Sequence, residues 1–247
     1  DMLAMFDEIA DDPDVEALIV NISSPGGTFG GGEAYFKALR NISNNKPVVA
    51  IMGDMATSGA YMTAIAADRI YASRGTITGS IGVIMQSANI TGLLDKLGVT
   101  PEIIKSGPSK AVPNPMEELT PNSRAQLQDI INELQTMFLQ MVSSRRDKTV
   151  DELRAVIGDG RIMTGTSAAD VGLIDEVGDE NDARLWLQTT HDVSTDLPVI
   201  EWAIEDPIAW WREAGASMST AIFGKSLLSE RLTLDGILAL WHPSFNE

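Results

Sequence analysis

The sequence holds no cysteine in its 247 residues. That excludes disulfides, thiolate nucleophiles and cysteine-ligated metals, although it assigns no compartment. Histidine is almost as scarce, with only His191 and His242. Both stand in the irregular late part of the chain, far in sequence from any strand-to-helix turn. A Ser-His-Asp triad on them is disfavoured, and they read as ordinary surface or packing residues. Basic residues are few: 18 Lys and Arg face 35 Asp and Glu, for a net charge of −17. Such a surface repels phosphate, which argues against general nucleic-acid binding and against a polybasic grip on anionic lipid. A run of about 18 apolar residues, as a membrane span needs, is missing. A signal peptide is missing too. The chain opens at Asp1, directly in an amphipathic stretch with Met2, Met5, Phe6 and Ile9 at helical spacing. This predicts that the natural start precedes Asp1, with or without an N-terminal anchor. Phosphate loops fail as well. Gly30-Gly31-Gly32 lacks the Gly-Lys-Ser/Thr ending, and Gly224-Lys225-Ser226 has Ser219 where the first glycine belongs.

Apolar residues make up 44% of the chain, enough for a sizeable core. Ala17 to Ile22, Pro47 to Ile51, Arg69 to Ala72 and Pro101 to Ile104 read as short buried strands. Residues 1–11, 30–42 and 90–97 read as helices, with Ala34, Phe36, Ala38 and Leu39 as core candidates. Met55 to Asp68 reads as a loop followed by a helix rich in Ala and Met. Strands alternating with helices predict crossover units and a largely parallel sheet. The longest helix carries Leu127, Ile130, Ile131, Leu134, Met137, Phe138, Met141 and Val142 in an i, i+3, i+4, i+7 rhythm. Thr120 is its N-cap and Pro121 its first residue. Thr149-Val150-Asp151-Glu152 predicts a capping box for a helix over 150–157. Residues 1–190 read as one domain. Residues 191–247, with Trp202, Trp210, Trp211 and Trp241, read as an extension of short helices and loops.

Without cysteine, the nucleophile candidates are Ser, Thr and Lys. Ser58, in Asp54-Met55-Ala56-Thr57-Ser58-Gly59-Ala60-Tyr61, follows a buried strand and opens a helix. It reads either as a nucleophile or as a plain helix cap. Pro25-Gly26-Gly27 also joins a strand to a helix. Its N–H groups either point at a developing oxyanion or simply close a tight turn. A serine without histidine needs another base. A lysine serves when it is neutral, which requires an apolar, dehydrated setting. Lys105 and Lys110 stand in Ile103-Ile104-Lys105-Ser106-Gly107-Pro108-Ser109-Lys110-Ala111-Val112-Pro113, after the strand expected at 101–104.

Together these pieces resemble the signal peptide peptidase A family of serine–lysine peptidases. The matching segments are Ser24 to Gly27, Ala56 to Tyr61, Thr78-Gly79-Ser80-Ile81-Gly82-Val83, and Lys105 to Lys110. Gly160-Arg161, Thr164-Gly165, Ala168 and Gly172-Leu173-Ile174-Asp175 extend the match. The likeness runs from around Val15 to around Glu180. It implies an α/β fold of the Clp protease and crotonase kind, a spiral of ββα units with a mostly parallel sheet and a long helix packed outside. It implies Ser58 as nucleophile, Lys110 as general base, Lys105 as the fallback base and Ser80 as the hydroxyl that orients the lysine. Gly26 and Gly59 would supply the oxyanion N–H groups, with Gly27 as a third. No metal or cofactor is implied. Peptides with apolar side chains, such as signal peptide remnants, would be the substrates. The short members look like ring or dome homo-oligomers with serine and lysine from neighbouring chains, at the outer face of a bacterial cytoplasmic membrane. Two features depart from the pattern: Ala60 replaces the usual second glycine, and the family's first strand is missing. Three other readings share parts of these motifs: a phage capsid-maturation protease, a crotonase-like acyl-CoA enzyme and a catalytically silent assembly module.

Overall fold

The computed structural model describes residues 2–202. Trp210, Trp211, Trp241, His242 and the Gly224–Ser226 segment lie outside them. The described chain falls into two compact units. The first comprises residues up to Thr78 and those from Met163 onward, and the second runs from Gly79 to Ile162.

The first unit is α/β. It contains α1 (Met2–Asp11), β1 (Leu18–Ser24), α2 (Phe29–Ser43), β2 (Val48–Thr57), α3 (Gly59–Ala64) and β3 (Arg69–Ala72). After β4 (Ile77–Gly79) the chain enters the second unit, and it returns through β5 (Ile162–Thr164). Three elements follow: α7 (Gly165–Asp170), β6 (Glu176–Val177) and α8 (Glu180–His191). The sheet runs β5-β4-β2-β3-β6, with β1 also paired to β2. The pairs β1–β2, β2–β3 and β3–β6 are all parallel. A parallel sheet is covered on both faces, which is why β2 carries a continuous apolar run. Val48, Val49, Ala50 and Met52 are each at most 1% exposed. Alternation then divides the faces. Val49 and Ile51 join Ile19, Tyr71, Ala183 and Leu187 in the cluster beneath α8. Val20 and Ile22 face the other way, toward residues of α1, α2 and α3.

Two details of β1 and β2 position the site. The register runs from Leu18 opposite Val48 to Ile22 opposite Met52, then slips so that Ser24 lies opposite Ala56. The extra residues on β2, around Gly53 to Met55, form a bulge that re-aims the strand end. The loop expected from Met55 does not form. β2 continues to Thr57 and α3 begins at Gly59. Threonine hydroxyls supply the tertiary partners that keep this stretch extended: Thr76 Oγ1 donates to the Gly53 carbonyl and Thr78 Oγ1 to the Ala56 carbonyl, each at 2.7 Å. The buried Tyr61 hydroxyl donates to the Leu173 carbonyl at 2.7 Å and fixes α3 against the segment after α7. Arg40, Ser43 and the Val48 N–H all bond the Asp68 carboxylate, closing the turn between α3 and β3.

The second unit is helical and rich in irregular chain. It holds α4 (Thr91–Leu97), α5 (Pro121–Arg145) and α6 (Val150–Ile157). Thr120 caps α5 with Pro121 inside its first turn. Thr149 and Glu152 form the expected capping box of α6. The strand expected at Pro101 to Ile104 is absent, and Ile104 is 99% exposed. A two-residue apolar run becomes a buried strand only where a sheet edge receives it. The segment has no strand partner among the described residues. The apolar rhythm of α5 is present, but its buried apolar residues all lie in the later turns, at Phe138, Leu139 and Val142. Ile130 and Met137 remain exposed.

Candidate active site

In the first unit, the end of β1 and the end of β2 bring Gly26, Gly27, Ser58 and Gly59 together. Gly26 has a φ of +111°, and a Cβ there would sit 2.8 Å from the Thr57 carbonyl oxygen and 2.9 Å from Ser58 Cβ. Only glycine fits that approach. A Cβ on Gly59 would stand 3.1 Å from the Gly27 nitrogen, so this second contact is nearly as tight. Ser58 occupies the cap position of α3 with φ 53° and ψ −123°, and its side chain makes no capping hydrogen bond. The plain-cap reading is therefore not realised. The hydroxyl has no partner among the described residues, and the serine is half-buried. A non-glycine residue at such a φ costs about 1–3 kcal/mol, which the surrounding bonds must offset.

The N–H groups of this turn differ. Gly26 N–H donates to Ser24 Oγ at 3.2 Å. Gly27 N–H has no partner among the described residues, and Gly59 N–H heads α3, where no helical carbonyl precedes it. An apolar cavity of about 70 Å³ opens beside these glycines, lined among others by Phe6, Val20, Ile22, Tyr35 and Ala60. Phe6 and Tyr35 meet edge to face across it, with ring centroids 6.2 Å apart.

Ser80, Lys105 and Lys110 belong to the second unit. Ser80 is also strained, at φ 50°, as is Ala111 beside Lys110, at φ 59°. The Ser80 N–H donates to the Arg161 carbonyl at 2.8 Å, and Gln135 Nε2 donates to the Ile81 carbonyl at 3.0 Å. The turn is thus held on both sides of Ser80 Cα. The Arg161 guanidinium hydrogen-bonds Asp159 and holds its carboxyl below the usual carboxylate range. Lys105 is largely buried, with its ammonium paired to Glu117, which also accepts from Asn114 Nδ2 at 2.6 Å. Lys110 is exposed, and its side chain has no partner among the described residues. Lys105 thus meets a carboxylate rather than an apolar setting, and Lys110 is open to solvent. The strand meant to supply that setting is absent. His191 ends α8 against Trp186, with ring centroids 4.8 Å apart, which is a packing role.

Thr57 enters the site only through tertiary structure, since in sequence it is merely the neighbour of Ser58. It is 5% exposed, and its hydroxyl donates to the Pro25 carbonyl at 2.8 Å. The available signal was a polar residue at the end of an apolar strand, with no nearby partner in sequence. Among the described residues no helix is long and apolar enough to cross a membrane.

The model of peptidase family S49 matches residues 40–194. That span includes Ser58, Ser80, Lys105 and Lys110 but not Gly26 and Gly27. A Synechocystis protein, named provisionally as a protease, is 39% identical over 191 residues, covering 77% of this chain and 68% of its own length. A protein of Enterococcus faecium, named provisionally as signal peptide peptidase SppA, is 31% identical over 201 residues, covering 81% and 58%. Capsid assembly protease C of Escherichia phage lambda is 31% identical over 182 residues, covering 74% and 41%. This chain thus spans 68%, 58% and 41% of the length of these relatives. Among solved structures, a ClpP1 variant from Listeria monocytogenes overlaps with a TM-score of 0.47 at 9% identity, over 73% of this chain and 87% of its own.

Proposed function

Because the chain belongs to peptidase family S49, we propose that it is a serine endopeptidase with Ser58 as nucleophile and Lys110 as general base. Neutral Lys110 takes the proton from Ser58 Oγ as the oxygen attacks the peptide carbonyl. The tetrahedral oxyanion rests on N–H groups of Gly59 and the Gly26–Gly27 turn. The ammonium of Lys110 then protonates the leaving amine, and the same amine activates water to release the acyl group. Ser80 orients the lysine amine, and Lys105 is the second candidate for the base.

The observation that carries this reading is the Ser58 turn: a free hydroxyl on strained backbone, with two glycine segments within contact distance. The apolar cavity beside Gly26, Gly27 and Gly59 supports peptides with apolar side chains, including signal peptide remnants. The exposure of Lys110 supports assembly. A neutral amine needs a dehydrated surrounding, and in a homo-oligomer a neighbouring chain supplies it. The exposed Ile84, Leu93, Leu97 and Ile104 of the second unit offer apolar surface for such a contact. Action at the outer face of a bacterial membrane completes the proposal. The likeness to a capsid assembly protease carries a second reading, in which the substrate is a scaffold protein.

Cleavage of a fluorogenic apolar peptide is the test, on the parent protein beside Ser58→Ala, Lys110→Ala and Lys105→Ala. The expected outcome is loss of about 10³-fold or more in kcat for Ser58→Ala and Lys110→Ala, with Lys105→Ala retaining activity. Loss in Lys105→Ala alone moves the base to Lys105. Activity that survives Ser58→Ala would falsify the proposal. Preference for a scaffold protein over apolar peptides selects the second reading.

A further inference from the structure

The Pro25–Gly26 peptide is a rotatable link in the candidate oxyanion turn. Its carbonyl and N–H belong to one rigid trans plane and point in opposite directions. Rotation of that plane swings the Gly26 N–H through space without moving either neighbouring Cα. Glycine at the second position makes such rotation cheap, since Gly26 already sits at φ +111°, where side chains are rarely found. Something must therefore hold the plane.

Two hydroxyls do so. Ser24 Oγ accepts from the Gly26 N–H at 3.2 Å. Thr57 Oγ1 donates to the Pro25 carbonyl at 2.8 Å, across 32 residues of sequence. The Thr57 bond is the shorter, and its side chain is 5% exposed, so water has little access to replace it. Thr57 is also bonded covalently to Ser58. One residue thus fixes the nucleophile's own strand end and the peptide plane opposite it. A single side chain therefore ties the two together. The Thr57 carbonyl completes the arrangement, since it is the backbone atom nearest to where a Gly26 Cβ would stand.

We propose that Thr57 is a positioning residue that clamps the Pro25–Gly26 peptide, and so places the Gly26–Gly27 turn, with its Gly27 N–H unpartnered among the described residues, relative to Ser58. This rests on the reading of Ser58 and the Gly26–Gly27 turn as nucleophile and oxyanion site. Thr57 touches no reacting atom. It acts through the peptide it holds, so its loss affects the transition state, where the oxyanion exists, and leaves the ground-state complex nearly as it was.

The test is a series at this one position, Thr57→Val, Thr57→Ala and Thr57→Ser, assayed with the apolar peptide beside Ser58→Ala. Thr57→Val keeps the volume and removes the hydroxyl. Its kcat is expected to fall about 10- to 100-fold with KM within about twofold, the size of effect seen when a group is displaced rather than removed. Thr57→Ser restores the hydroxyl and is expected to recover most of kcat. A readout independent of turnover is deuterium exchange at the Gly26 amide, which is expected to speed up in Thr57→Val and not in Thr57→Ser. If Thr57→Val does not fold, the smaller Thr57→Ala carries the same comparison with Thr57→Ser. An unchanged kcat in Thr57→Val overturns the proposal. So does a loss confined to KM, or a Thr57→Ser protein no better than Thr57→Val, since packing of the methyl group would then explain the effect. Ser58→Ala separates the two levels. If it is inert while Thr57→Val is fully active, the clamp falls and the serine mechanism stands. If Ser58→Ala is active, the site itself is misassigned.

Discussion

The two compact units treat their apolar residues in opposite ways. In the first, Leu39, Val48, Val49, Ala56 and Ile65 are fully buried, and the sheet is covered on both faces. In the second, Ile84, Leu93, Leu97 and Ile104 are more than half exposed, and burial is confined to a small group including Ile81, Phe138, Leu139 and Leu153. Hydrogen bonding follows the same division. The Ser58 turn is tied down by threonine and tyrosine hydroxyls that reach far along the chain. The segment around the lysines is held by short-range contacts such as Lys105 with Glu117. A self-sufficient core therefore fixes one half of the candidate chemistry. The other half stands on a surface whose apolar area calls for a further covering, which is the physical basis for proposing a homo-oligomer.

Substitutions on the two sides sharpen the contrast. Leu39→Ala in the first unit leaves a cavity in close-packed surroundings and is expected to lower stability by about 2–5 kcal/mol, read by urea or thermal unfolding. Ile104→Asp in the second unit is expected to change folding stability by no more than about 0.5 kcal/mol. Its effect should appear instead in sedimentation, as a smaller assembly, and in peptide cleavage, which falls with it. If Ile104→Asp destabilised as much as Leu39→Ala, the second unit would have a core of its own and the comparison would break. The smallest expected effect concerns pH. The hydrogen bond from Arg161 depresses the Asp159 carboxyl in the folded state. Its contribution is therefore present above the ordinary carboxylate value and is lost as pH falls through the depressed one. Asp159→Asn should flatten the acid limb of a plot of Tm against pH, only slightly, because both partners are exposed and screened. A flattening at the alkaline limb would contradict the assignment.

Much of the architecture was legible along the chain. β1, β3, α5 and α6 stand where apolar period and cap residues put them. Thr120 and Thr149 each accept from a backbone N–H three residues on, so the signal and the structure share one short window. The candidate glycines and Ser58 were legible as strand-to-helix turns. Two segments were misread. Ile103 and Ile104 have strand composition, but a strand exists only beside another, and none of the described strands pairs with them. Met55 to Thr57 read as loop, yet the threonine bonds from Thr76 and Thr78 to this stretch of β2 hold it extended.

Residue types, caps and the order of strands and helices were thus determined by the sequence alone, because they depend on interactions spanning a few residues. The left-handed backbone of Ser58, its uncapped hydroxyl, the approach of Gly26 to Gly59 and the Thr57 bond to Pro25 were decided by tertiary structure. Each depends on β1 and β2 lying side by side with a slipped register, and that pairing joins atoms about thirty residues apart.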